Sequence, residues 1–193
     1  MATRDSVGVA ATAFNQLLAD LGREPVRRFS LAAAPQTAAV FVTWSKGPAE
    51  DLRGCIGTFQ PAPLERTVRE YASIAAFEDP RFSPIRLAEV PLLAACVTVL
   101  GPLEPCRSPD DWQLGTHGIQ AQFGGRGSAT FLPQVPVEQD WDKAETLAQL
   151  AAKAGVPGAH PTAISRYTGE KHEITFAQYM ALSPGSSNSG HSS

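Results

Sequence analysis

One order of local patterns occurs twice in this chain, and it limits the fold more than any other feature. AAVFVTW (38–44) is apolar, β-branched and aromatic, and Ser45-Lys46-Gly47-Pro48 supplies turn chemistry after it. LRGCIGTF (52–59) then completes a hairpin, and Leu64, Val68, Tyr71, Ala72 and Ala75 recur on one face of a helix over 64–77. Later, GIQAQFGGRGSATFLP (118–133) forms a second hairpin that turns at Gly124-Gly125-Arg126-Gly127. Trp141 to Ala154 follows as a helix with Ala144, Leu147, Ala148, Ala151 and Ala154 on one face. A hairpin is antiparallel by construction, and the strict βαβα alternation of a parallel sheet is missing. The order predicts an α+β fold with a mostly antiparallel sheet and helices outside it.

The remaining segments are simpler. Val9, Ala13, Leu17 and Leu21 stripe a helix over 5–21, and Arg23, Arg27 and Arg28 follow in a solvated connection. Pro61 and Pro63 introduce the 64–77 helix, and Glu78-Asp79-Pro80 ends it. RFSPIRLAEVP reads as a loop, LLAACVTVL (92–100) as a strand, 103–117 as irregular, 170–176 as a weak strand or loop, and FAQYMAL as a short helix. The tail SPGSSNSGHSS has no apolar residue and is expected to be disordered. The organisation is therefore 1–37 as helix and connection, 38–182 as the main domain and 183–193 as tail.

Charge and cysteine usage narrow the function classes. A net charge of -3 argues against non-specific nucleic-acid binding. The N-terminus lacks an apolar core of the signal-peptide kind, and no run is long enough for a membrane span. The three cysteines, Cys55, Cys96 and Cys106, include no C-x-x-C pair, which fits free thiols in the cytosol or nucleus. His117, His160 and His172 lack ligand spacing with the cysteines, so neither metal nor cofactor is expected.

The six residues LRGCIG pose the functional question, because a plain strand favours β-branched residues over paired glycines. Gly54 and Gly57 admit either a neighbouring backbone or a ligand at close range. Arg53 and Cys55 project from the same face of a strand, so the guanidinium can favour the thiolate. Cys55 is either a nucleophile or a small buried hydrophobe. Arg53 either binds an anion or pairs with an internal acid such as Asp79. Asp79 and Arg81 sit just past a helix C-terminus, where a carboxylate needs a cationic partner. His117 in Gly115-Thr116-His117-Gly118 is either a base for Cys55 or bonded to its own loop. Gly118 joins the candidate cleft where the DPRF and THG loops meet the LRGCIG strand.

LRGCIGTF, EYASIAAFEDPRF, DWQLGTHGI and ATFLPQV, in that order, resemble the AMMECR family, named for a chromosomal region deleted with Alport syndrome, midface hypoplasia and elliptocytosis. The resemblance covers roughly 38–180, and VFVTW ahead of LRGCIG is similar to eukaryotic-type members. It implies an α+β fold with a barrel-like sheet from two related halves and a small second lobe. It implies no settled activity. Two expectations follow: a binding or regulatory module whose polar cleft takes a protein, peptide or small anionic ligand, or an enzyme, transferase or hydrolase, with Cys55 as nucleophile.

Overall fold

The protein is described from a computed structural model, which covers residues 4–24, 31 and 35–182. The expected tail 183–193 and most of the arginine-bearing connection lie outside the described residues. In chain order the elements are α1 (Arg4–Asp20), β1 (Thr37–Lys46), β2 (Asp51–Pro63), α2 (Leu64–Phe77), a 3-10 helix (Leu87–Leu92) and β3 (Leu93–Leu100). Then come β4 (Glu104–Pro105), β5 (Gly118–Gln122), β6 (Ser128–Phe131), α3 (Gln134–Glu138), α4 (Lys143–Lys153), β7 (Ala163–Tyr167), β8 (Gly169–Thr175) and α5 (Phe176–Ala181). They divide into two units, Met1–Val99 with Lys171–Ser193, and Leu100–Glu170.

In the first unit the sheet order is β2-β1-β3-β8. Alternation along β1 buries Val40, Val42 and Trp44. α1 adds Val9, Ala13, Phe14 and Leu17 to the same core, and α2 adds Leu64, Val68, Ala72 and Ala75. The Trp44 indole also ties strand to helix, donating to Ala72 O at 3.1 Å. Phe14 stacks on Tyr179 with ring centroids 5.2 Å apart. The Tyr179 hydroxyl donates to Asn15 Oδ1 at 2.6 Å, which satisfies a buried polar pair. So α1 and α5 are part of this core rather than appendages to it.

The second unit has the sheet order β4-β7-β5-β6, with Trp112, Ile119, Phe123 and Leu150 in its core. Gly124 and Gly125 turn the β5–β6 hairpin at φ 59° and 77°, a region glycine enters without strain. Asp142 caps α4 by accepting from Glu145 N at 2.8 Å.

Several expectations are corrected. The described strands make two open four-stranded sheets and no closed barrel. Pro61 and Pro63 stand just ahead of α2 as expected, Pro63 as its N-cap, but they also form the end of β2, an edge strand, where the missing N–H costs no ladder bond. The expected loop after Phe82 contains the 3-10 helix Leu87–Leu92, and the irregular stretch holds two-residue β4. β7 and α3 had no clear periodic signal. The buried side of α4 carries Thr146, Leu150 and Ala151, while Ala144 and Ala148 are exposed.

Candidate functional site

The first unit gathers Arg53, Gly54, Cys55, Gly57, Asp79 and Arg81 around β2 and the loop after α2. In the β1–β2 register Thr43 lies opposite Cys55, Trp44 opposite Gly54 and Phe41 opposite Gly57. The glycines resolve as packing positions. A Cβ on Gly54 would stand 2.0 Å from Ala75 O, in the backbone of α2. One on Gly57 would meet Val40 O at 2.3 Å and Phe41 Cγ at 2.4 Å. The absence of a side chain lets β2 approach α2 closely at Gly54 and lets it pack against β1 at Gly57.

Asp79 joins the helix-terminal loop to the strand. Its Oδ2 accepts the Cys55 N–H at 2.9 Å, and Arg81 donates Nη2 to Oδ2 at 2.7 Å and Nε to Oδ1 at 2.9 Å. Arg81 N–H adds a contact to Oδ1 at 3.1 Å, and Arg81 Nη2 reaches Cys55 O at 3.1 Å. Cys55 faces the free edge of β2, so both its backbone polar groups find side-chain partners in place of a neighbouring strand. The Arg81 guanidinium holds the buried Asp79 carboxyl well below the usual carboxylate range, with the Cys55 amide assisting and burial opposing.

Arg53 does not pair with Asp79, the example given for its internal acid. Its fork meets Glu89 on the 3-10 helix, Nε to Oε1 at 3.0 Å and Nη2 to Oε2 at 3.2 Å. Nη1 donates to Ser83 O at 2.7 Å and Nη2 to Pro84 O at 3.3 Å. Lys46 Nζ also reaches Glu89 Oε1 at 3.0 Å, and the Arg86 N–H reaches Oε2 at 3.1 Å. With these partners, Arg53 first among them, the Glu89 carboxyl falls from 4.5 to about 2. Glu89 was missed in the sequence reading, as were Ser83 and Arg86 on the same cleft. Its signal was a single acid inside the otherwise apolar LAEVPLL.

Both carboxyls are depressed in the folded state, so their stabilisation is present above the unfolded value and lost as pH falls through the folded one. For Glu89 that window runs from about 4.5 down to about 2, with Asp79 contributing as its own carboxyl protonates in acid. Thermal unfolding measured across that window should show Tm falling with pH, and Glu89→Gln should flatten the slope. Parallel curves for the two proteins would contradict the role given to Glu89.

Of these residues Arg53, Arg81 and Glu89 border a cleft of about 660 Å³, together with Phe82, Ser83, Arg86 and Ala88, whereas Gly54, Cys55, Gly57 and Asp79 are not part of its lining. Arg53 is committed to the wall. Among the described residues no hydrogen bond or ion pair engages the Arg86 guanidinium, and none engages Arg81 Nη1. The Arg81 guanidinium lies 5.4 Å from the centroid of the Phe82 ring. The cleft thus holds one cation without an acidic partner, Arg86, beside an Arg81 whose charge is matched by Asp79 but whose Nη1 is unused, within a chain of net negative charge.

Cys55 is half-buried, and Thr43 Oγ1 donates to its Sγ at 3.1 Å. His117 and Gly118 belong to the second unit. His117 Nδ1 accepts the Gln113 N–H at 3.0 Å, the loop-bonded alternative. Gly118 packs beneath Tyr167, whose ring a Cβ would meet at 2.2 Å. Burial drives the Cys96 thiol up to about 12, with the Glu173 carboxylate assisting. Among the described residues, no group of three or more His, Cys, Asp or Glu side chains is placed to hold a metal ion. Among them, too, no helix is long and apolar enough to cross a membrane.

This chain has relatives across distant organisms. The AMMECR1 family model matches residues 9–172, and the chain belongs to that family. The match begins within α1, earlier than the resemblance in the motifs reached. An uncharacterized protein of Schizosaccharomyces pombe is 36% identical over 176 residues, spanning 86% of this chain and 91% of the relative. One of Arabidopsis thaliana is 35% identical over 156 residues, 74% of this chain and 73% of the relative. The crystal structure of the uncharacterized protein PH0010 from Pyrococcus horikoshii is similar at TM-score 0.71 and 33% identity, covering 87% of this chain and 89% of that one.

Proposed function

We propose that the protein is a binding and regulatory module whose cleft receives an anionic group, a phosphate or carboxylate borne by a small molecule, peptide or protein partner. The observation that carries this is the Arg86 guanidinium with Arg81 Nη1, both without protein partners and both bordering the same cleft. Arg53 serves differently: with its donors committed to Glu89 and to two loop carbonyls, it sets the position of the loop that presents the other two. A planar guanidinium suits bidentate capture of oxyanions. Three free thiols fit a reducing compartment, cytosol or nucleus. The repeated hairpin-then-helix order fits two related halves as part of the same reading.

Cys55 as the nucleophile of an enzyme acting on an anionic substrate is the alternative. In its favour stands the position of Arg81, bonded to the Cys55 carbonyl. Against it, the hydrogen bond described at Sγ comes from Thr43, which is no base.

Calorimetric titration of the purified chain with inorganic pyrophosphate at low salt tests the cleft. Binding should weaken by about tenfold, close to 1.4 kcal/mol, in Arg86→Ala, and should decline as salt screens the site. Equal affinity for the wild type and Arg86→Ala, or no binding by either, removes the proposal.

A further inference from the structure

The loop that presents the cleft's free arginines also presents a hydroxyl. Ser83 lies between Arg81 and Arg86, is exposed, borders the same cleft, and sits where the chain has no regular secondary structure. Among the described residues no hydrogen bond engages its Oγ. Its backbone, by contrast, is held from beneath: Arg53 donates to the carbonyls of Ser83 and Pro84, and the Ile85 N–H donates to Ala76 O at 2.9 Å. The Ile85 side chain is buried, which anchors the loop while Ser83, Pro84 and Arg86 face solvent. The sequence here is Ser83-Pro84-Ile85-Arg86, a serine followed directly by proline with a basic residue two positions further on. That arrangement is the general substrate pattern of proline-directed serine/threonine kinases.

We propose that Ser83 is a phosphorylation site, and that its phosphoryl group is clamped by Arg81 and Arg86 and closes the cleft to other anions. This regulation rests on the reading of the cleft as an anion site. In the transfer, Ser83 Oγ attacks the γ-phosphorus of ATP held by the kinase. The new O–P bond forms as the bond from that phosphorus to the β–γ bridging oxygen breaks. ADP leaves, and the hydroxyl proton passes to the carboxylate base of the kinase. The product carries about -1.5 to -2 charges and three acceptor oxygens at neutral pH. The two cations nearest in sequence have donors to spare, whereas Glu89 in the cleft wall is already neutralised by Arg53 and Lys46. Asp79 is 4% exposed and sits beneath Arg81. A phosphate on Ser83 therefore meets the unpaired charge of Arg86 and the unused Nη1 donor of the Asp79-paired Arg81, and it occupies the volume that a separate anion would need.

The test treats the folded chain with ATP and a purified proline-directed kinase, with Ser83→Ala as the variant that takes no phosphate in this loop. Mass spectrometry should place one phosphate on Ser83. Phosphorus NMR should then show its second ionisation about one unit below the usual value of about 6, returning towards it in Arg86→Ala. Pyrophosphate affinity should fall at least about tenfold on phosphorylation of the wild type. No phosphate on Ser83, an ionisation like that of an unstructured peptide, or unchanged pyrophosphate affinity overturns the inference. Failure of the unmodified chain to bind pyrophosphate sinks the proposed function instead, since the NMR titration reads the arginine clamp without any added ligand.

Discussion

Gly54→Ala is expected to destabilise the first unit by about 3 kcal/mol, the upper part of the usual range for overpacking a close-packed core. The added methyl would stand 2.0 Å from Ala75 O, far inside van der Waals contact, and the obstacle is helix backbone rather than a side chain that can rotate away. Relief requires α2 to shift away from β2. But α2 carries Val68, Ala72 and Ala75 in the core and accepts the Trp44 indole N–H at Ala72 O, so such a shift disturbs both. Calorimetry should show the first-unit transition lowered by roughly 6–12 °C, at the conversion usual for a protein of this size. A Tm within about 2 °C of wild type would mean that β2 and α2 do not meet as described.

Asp79→Ala should cost a comparable amount, about 3 kcal/mol, for a different reason. Asp79 is buried and accepts from the Cys55 N–H and from three Arg81 donors. Its loss leaves the Cys55 amide without that partner and releases the guanidinium of Arg81, a cleft-lining residue, from its bidentate hold. Asp79→Asn should be milder in stability, because an amide oxygen can still accept from Cys55, yet it should weaken pyrophosphate binding as Asp79→Ala does. Denaturant unfolding of both variants checks the order. Wild-type stability in Asp79→Ala would remove Asp79 as the link between the loop and the strand.

The two substitutions mark the limits of what a linear reading can see. LRGCIG was visible as anomalous because two glycines interrupt a strand pattern, and their purpose was left open between backbone and ligand. Only the placement of α2 over Gly54 and of Phe41 over Gly57 answers it. Arg53 was correctly paired with an internal acid in kind but not in identity. Glu89 lies far along the chain, and it reaches Arg53 because the 3-10 helix Leu87–Leu92 turns it back. Ser83-Pro84-Ile85-Arg86 is a pattern present in the sequence, but that Ser83 and Arg86 border one cleft with Arg81 is visible only in the fold. Helix α2 was legible to the residue, because five apolar positions share one periodicity and Glu78-Asp79-Pro80 stops it. The face of α4 was not, because alanines contribute little to an apolar stripe and Thr146 is buried against expectation.

By itself the sequence determined the α+β class, the two hairpins and the family. The class and the hairpins rest on short-range periodicity and turn chemistry, which neighbouring residues enforce on one another; the family rests on the resemblance of four ordered motifs. Tertiary structure decided which arginine is held and which is left free. That follows from the pairing of Arg53 with Glu89 and of Arg81 with Asp79, contacts between segments whose separation along the chain says nothing of their distance in space.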